Sequence, residues 1–360
     1  MKANKGEWSE LYVLLRLLAD GKLYSAGPKL EKFENVFSPI LRIIRQETDK
    51  LNYEYISKSD RKVELYINDN RIVSLDRPVL GKYAESIFNG IITGQGKGAF
   101  EIHDSSEILD TLKTQKIKAP STDKTDIRME IYDRHTGIQT VVGYSIKSDL
   151  GMPPTLMNPS KSTNFKYEIC GNLSDADIKH INSINTDTKI RDRITAILEK
   201  ATFKFSKIEN SVFSGNIMLI DSRMDVILGD MLCRYYTSDH KPCAEIVTLL
   251  EESDPLNFKR PGIYRYKFKK FLCSIALGML PAKEWNGMDD ANGGYIIVKT
   301  NGDVVAYHLY NRDAFEAYLL NNTIFDTPST TRYDYAKLYR EEDGKVYMDL
   351  NMQIRFRNNG

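Results

Sequence analysis

"DIRMEIYDRHTGIQTVVGYSIKS" runs from Asp126 to Ser148, and its reading decides the fold. Two alternating stretches flank the turn "RHTG", which predicts a β-hairpin. Ile127, Met129 and Ile131 share one face of the first strand, and Val142, Tyr144 and Ile146 share one face of the second. Gly143, Ser145 and Lys147 then point together to the opposite face, so a lone lysine ends a strand that otherwise reads as sheet core. Asp126 opens one strand and Lys147 ends its partner; hairpin neighbours lie about 5 Å apart, so the two can meet. A carboxylate there can hold a divalent cation, while the ammonium orients or helps to deprotonate a water for attack on phosphorus. An exposed Asp–Lys ion pair, a far more frequent feature, satisfies the same spacing.

Upstream, "NKGEWSELYVLLRLLADGK" has a helical apolar rhythm at Leu11, Leu14, Leu15 and Leu18, with a glycine stop at Gly21. Glu10 stands four residues after Gly6 in its first turns, and Glu7 lies one turn earlier on a neighbouring face, where acidity also complements the helix dipole. Residues 28–52 read as loop then helix, interrupted at "SPI", and "KVELYINDNRIVSL" reads as a hairpin. Helices are expected over Leu80–Thr93 and Ser105–Thr114. Downstream, "TNFKYEI" reads as a strand, "SDADIKHINSI" and "IRDRITAILEKATF" as helices, and "PGIYRYKFKKFL" as an alternating strand. "GGYIIVKTNGDVVAYHLY" reads as a hairpin, "RDAFEAYLLNN" as a helix and "KVYMDLNMQIRF" as a closing strand. The class is mixed α and β.

The 360 residues are 41% hydrophobic and 28% charged, an ordinary globular composition. No window is apolar enough to span a membrane and the N-terminus carries no apolar signal region, which points to a cytoplasmic protein. Four dispersed cysteines form no C-x-x-C pair, so neither zinc nor a disulfide framework is indicated. A net charge of +1 gives no global attraction to nucleic acid; any such contact must come from local patches. The five histidines show no paired spacing, and neither His135, in the hairpin turn, nor His308, on a strand, receives a role.

A Gly-x-x-x-Glu helix followed by a hairpin carrying Asp and then (Asp/Glu)-x-Lys resembles the order of metal-dependent nucleases of the PD-(D/E)XK class. More specifically, "NKGEWSELYVLLRLL", "GYSIKSDLGMPPTLMNPSKSTNF" and "YHLYNRDAFEAYLLNNTIFDTPSTTRYDYAKLY" look like the HpaII-type family of type II restriction endonucleases, with matching segments from residue 4 to residue 357. The resemblance implies a PD-(D/E)XK core, a central mixed sheet flanked by helices, with added DNA-recognition elements. It also implies Mg²⁺-dependent hydrolysis of double-stranded DNA at a short palindrome, CCGG in the namesake, alongside a DNA methyltransferase. Residues 1–200 would form the nuclease core with the N-terminal helix and an insertion at 28–120, and residues 201–360 a recognition extension, unless the whole is one elaborated domain. Asp126 and Lys147 take the catalytic positions and Glu10 the helix position, with Glu7 the second choice.

Ser145 departs from the family pattern, standing where the first acidic residue of the (Asp/Glu)-x-Lys pair belongs. A hydroxyl is a poor Mg²⁺ ligand, so the metal needs an oxygen from elsewhere: Glu10 by preference, Glu168 on the next strand, or Asp149 at the strand exit. For DNA, phosphate contacts need cations, and a G·C target favours arginine. Arg265, Lys267 and Lys269 would form a phosphate rail on one strand face, a pattern that equally suits an edge strand guarded by lysines. Asn322, Thr330 and Arg332 lie in a polar stretch suited to a groove; Gln353, Arg355 and Arg357 alternate at the C-terminus; Asn158 and Lys161 follow Lys147 in a proline-stiffened loop. Palindromic sites match two-fold symmetry, so a homodimer is expected. Two other readings stay open: a DNA-binding protein that has lost catalysis, with Ser145 as the trace, and a structure-selective repair nuclease.

Overall fold

The computed structural model of the protein describes residues 1–27, 30–48, 51–94, 98–118, 125–134, 137–308 and 312–357. His135 therefore lies outside the described residues. The class is mixed α/β, with helices packed around several sheets. The chain divides into two compact units, one containing Met1–Pro154 and Asp289–Phe315, the other Thr155–Met288 and Glu316–Arg357. Residue 200 falls within the second.

The first unit is built on a nine-stranded mixed sheet. Its hairpin partners Ile127–Tyr132 and Gln139–Ser148 pair antiparallel, with Ile127 opposite Tyr144 and Tyr132 opposite Gln139. The second of these strands pairs in parallel with Gly294–Val298, placing Tyr295 beside Ser145 and Ile297 beside Lys147. Gly294–Val298 and Val304–His308 form the expected antiparallel hairpin. Lys22–Ala26 pairs with Val304–His308 and also with the first half of Lys32–Thr48, so the sheet curls back on itself. Leu51–Ser57, Lys62–Ile67 and Asn70–Asp76 extend it as an antiparallel meander.

The N-terminal helix, Lys5–Asp20, begins at an Asn4 capping box and stops at Gly21, whose φ of 65° is the left-handed conformation glycine adopts without strain. It packs with Arg77–Thr93 over the sheet, burying Trp8, Leu11, Leu15 and Leu18 among Ile43, Met129, Ile131 and Tyr144. Each of those apolar side chains contributes about 1.5–3 kcal/mol when withdrawn from water.

Among the described residues of 28–52 the expected helix is absent: Lys32–Thr48 is one long strand. Its inward positions include Arg45 and Glu47, 7% and 5% exposed, and its register shifts between Ile40 and Arg42. Polar inward residues and a shifted register together hide the period of two from a hydrophobicity pattern.

The second unit holds a four-stranded antiparallel sheet in the order Thr202–Ile208, Asn164–Cys170, Val346–Asn351, Leu338–Arg340. A three-stranded sheet places Gln353–Phe356 between Thr155–Met157 and Thr323–Asp326. The expected single closing strand is thus two strands in different sheets, parted at Met352, whose N–H donates to the Thr163 carbonyl. The expected strand at "PGIYRYKFKKFL" is a helix, Ile263–Leu277. Tyr264, Phe268, Phe271, Leu272 and Ile275 are buried at helical spacing, and this longer pattern outweighs the short local alternation.

Candidate active site

Asp126 sits immediately before its strand, and its N–H donates to the Tyr144 carbonyl at 2.9 Å, continuing the hairpin ladder by one rung. Its Oδ2 accepts the Ile146 N–H at 2.7 Å and the Ser145 hydroxyl at 3.0 Å. Two donors to one carboxylate oxygen fix the side chain across the hairpin. Gly143 makes room for this corner, because a Cβ there would lie 2.6 Å from Thr125 Cγ2. Ser145, 3% exposed, is therefore a donor to Asp126 in this arrangement.

Lys147 follows two residues later and is half-buried, with its ammonium 5.5 Å from the centre of the Tyr295 ring. Burial lowers the pKa of that ammonium and the neighbouring Lys118 lowers it further, while Asp126 and Glu10 oppose the change. Among the described residues it makes no ion pair within 4.0 Å.

Glu10 reaches the same place from the N-terminal helix. The helix is held to the end of the hairpin strand by a 2.8 Å hydrogen bond from the Ser9 hydroxyl to Ser148 Oγ. Glu10 is mostly buried, and its carboxyl is pushed up to about 7 by burial and by the charge of Asp126, against the pull of Lys118. Lys118 Nζ lies 3.1 Å from Glu10 Oε1. Glu7, the alternative on the helix, is spent on the capping box: its carboxylate accepts the Asn4 N–H at 2.9 Å.

Asp126, Lys147 and Glu10, named from the sequence, thus come together in one unit, and a cleft of about 670 Å³ lined by Glu10, Lys147, Ser148, Gly6 and Pro153 opens beside them. Among the described residues no three Asp, Glu, His or Cys side chains converge as metal ligands. Two half-buried carboxylates that repel one another nevertheless suit a divalent cation, which Asp126 and Glu10 would hold. Asp149, at the strand exit, has its carboxyl raised by burial. Glu168 belongs to the other unit, where its carboxylate meets Lys345 at 3.1 Å and Lys204 at 3.5 Å.

The residues expected to touch DNA all lie in the second unit. Because Ile263–Leu277 is a helix, Arg265, Lys267 and Lys269 do not form the predicted rail on a strand face. Arg265 Nη2 donates to Thr248 Oγ1 at 2.9 Å and Lys267 is ion-paired with Asp221, whereas Lys269 is half-buried. Arg355 Nε is 2.8 Å from Asp326 Oδ2, and Asn322 Nδ2 donates to the Tyr318 carbonyl at 2.9 Å. Arg332 is exposed next to half-buried Thr330, and Asn158 and Lys161 are exposed around a short 3₁₀ turn, Lys161–Thr163. Lys118 escaped the sequence reading; its only signal was a lysine in the irregular stretch before Asp126.

The sequence model of the HpaII restriction endonuclease family matches residues 4–356. The type II restriction enzyme HpaII of Haemophilus parainfluenzae is 39% identical over 363 residues, covering 98% of each chain. No solved structure matches the chain. A match over nearly every residue, on a chain whose hairpin and first helix bring Asp126, Lys147 and Glu10 together, places this protein in the HpaII restriction endonuclease family, as a site-specific DNA endonuclease.

Proposed function

We propose that the protein is a Mg²⁺-dependent type II restriction endonuclease that cuts CCGG, working on a PD-(D/E)XK core as a homodimer beside a methyltransferase that protects the same sequence. The observation that carries the reading is the convergence of Asp126, Glu10 and Lys147. The target sequence is taken from the resemblance.

Asp126 and Glu10 would hold the cation, which would supply Lewis-acid stabilisation of charge on the scissile phosphate. The Ser145 hydroxyl and the Ile146 N–H orient Asp126 before substrate arrives, so no reorganisation is needed on binding. Lys147, its pKa depressed by burial, reaches its neutral amine form more readily than an exposed lysine would, and in that form it orients the attacking water and accepts its proton. Ser145 in place of an acidic residue leaves Glu10 as the second carboxylate of the site. Sequence reading falls to exposed groups, with Arg332 the first choice for guanine and Asn158 and Lys161 for the phosphate backbone.

The presence of Lys147, Asp126 and Glu10 together favours an active enzyme over a decayed binding protein. Lys147→Ala and Asp126→Asn tested on plasmid DNA decide between them: both must lose cutting while remaining folded. Retained cleavage in either variant moves the chemistry elsewhere. Wild-type protein that binds CCGG duplex without ever cutting it supports the decayed reading.

A further inference from the structure

Lys118 lies where a cation of the reaction would be needed. Its ammonium is 3.1 Å from Glu10 and within electrostatic range of Asp126 and Glu7. The loop that carries it is fastened from beneath. Tyr55 and Tyr53 donate hydroxyls to the Leu112 and Lys113 carbonyls at 3.0 and 2.9 Å, and Arg45 Nη2 donates to the Lys116 carbonyl at 2.5 Å. Glu47 accepts from Arg45 Nε at 2.5 Å and from the Thr114 hydroxyl. A buried ion pair is costly compared with apolar packing, so its presence under this loop argues for precise placement of what the loop carries. The Lys118 side chain remains 43% exposed, against 15% for Glu10, so the ammonium can swing out into solvent when it is displaced.

We propose that Lys118 is a cationic placeholder: in the metal-free enzyme its ammonium neutralises Glu10, and the divalent cation must displace it from the carboxylates in order to bind. This rests on the reading of Asp126 and Glu10 as the metal-binding pair. A single positive charge quiets the pair only in part, whereas a divalent ion satisfies both carboxylates at once. Lys118 is thus a positioning residue. It keeps Glu10 in place without metal and sets a threshold of metal concentration for assembly of the site.

Calorimetric titration of the full-length protein with Ca²⁺, without DNA and at pH 8.5 so that Glu10 is ionised, tests this directly. Lys118→Met should bind Ca²⁺ at least about fivefold more tightly than wild type, because the competitor is gone. Lys118→Arg, which keeps the charge, should stay near wild type. In EDTA, Lys118→Met should melt below wild type, with the gap closing as Ca²⁺ is added. Unchanged or weaker Ca²⁺ binding in a folded Lys118→Met protein overturns the placeholder while leaving the metal site intact. Ca²⁺ binding that survives Asp126→Asn in either background overturns the metal-site reading itself, and the placeholder with it.

Discussion

At the scale of single residues, burial sets the charge of the site. Lys147→Ala should lower kcat/KM by about 10²–10⁴-fold, the range expected for losing a positioned proton acceptor, with circular dichroism unchanged. Glu10 makes a pH prediction whose sign follows from its carboxyl being pushed from 4.5 up to about 7. The folded metal-free protein keeps a proton there that the unfolded chain has already released, so this group's contribution to stability is present below pH 4.5 and is lost as pH rises through about 7. Urea melts in EDTA should show Glu10→Gln gaining up to about 3 kcal/mol on wild type between pH 4.5 and pH 8. Metal affinity runs the other way: it should climb with pH through about 7 in wild type, as the competing proton leaves Glu10. That step should be absent from Glu10→Gln. Hairpin alternation brings Asp126 and Lys147 within reach of each other, whereas Glu10 was placed beside them by the family resemblance, because helix periodicity fixes the face it lies on and not what that face meets. Lys118 was not legible, since it meets Glu10 through a tertiary contact from an irregular loop, where no period constrains the side chain's direction.

At the scale of elements, the site depends on three pieces: the hairpin, the helix Lys5–Asp20, and the strand Lys32–Thr48 that fastens the Lys118 loop. The hairpin and helix were readable because periodicity and caps agree, from alternation across Asp126–Ser148 to Asn4 and Gly21 bounding the helix. The strand was missed because Arg45 and Glu47 occupy its inward face where apolar residues would have declared it. The helix Ile263–Leu277 was missed for the opposite reason: Tyr264, Tyr266 and Phe268 alternate over a window too short to separate a period of two from 3.6. The buried pair has a measurable consequence. Arg45→Met leaves Glu47 buried without its guanidinium and should cost about 3–5 kcal/mol in chemical denaturation. Arg45→Met combined with Glu47→Leu should recover most of that loss, since an apolar pair of similar volume removes the stranded charge.

At the scale of the whole molecule, membership of the HpaII restriction endonuclease family makes double-stranded DNA the substrate. A net charge of +1 means that affinity must come from local groups. Arg332→Ala should then cost about 1–3 kcal/mol of discrimination at one base pair, read by competition binding with single-substitution duplexes, whereas Lys161→Ala should weaken all duplexes alike and flatten the salt dependence. Digestion of unmethylated plasmid by wild type, Asp126→Asn and Lys147→Ala, each with Mg²⁺ and with EDTA and with the ends mapped, tests whether these residues carry a metal-dependent cut. In the time wild type with Mg²⁺ takes just to complete digestion, it should give discrete fragments ending at CCGG and every other lane should hold intact plasmid. Fragments from either variant within that time, or from wild type in EDTA, would contradict a metal-dependent cut carried by Asp126 and Lys147.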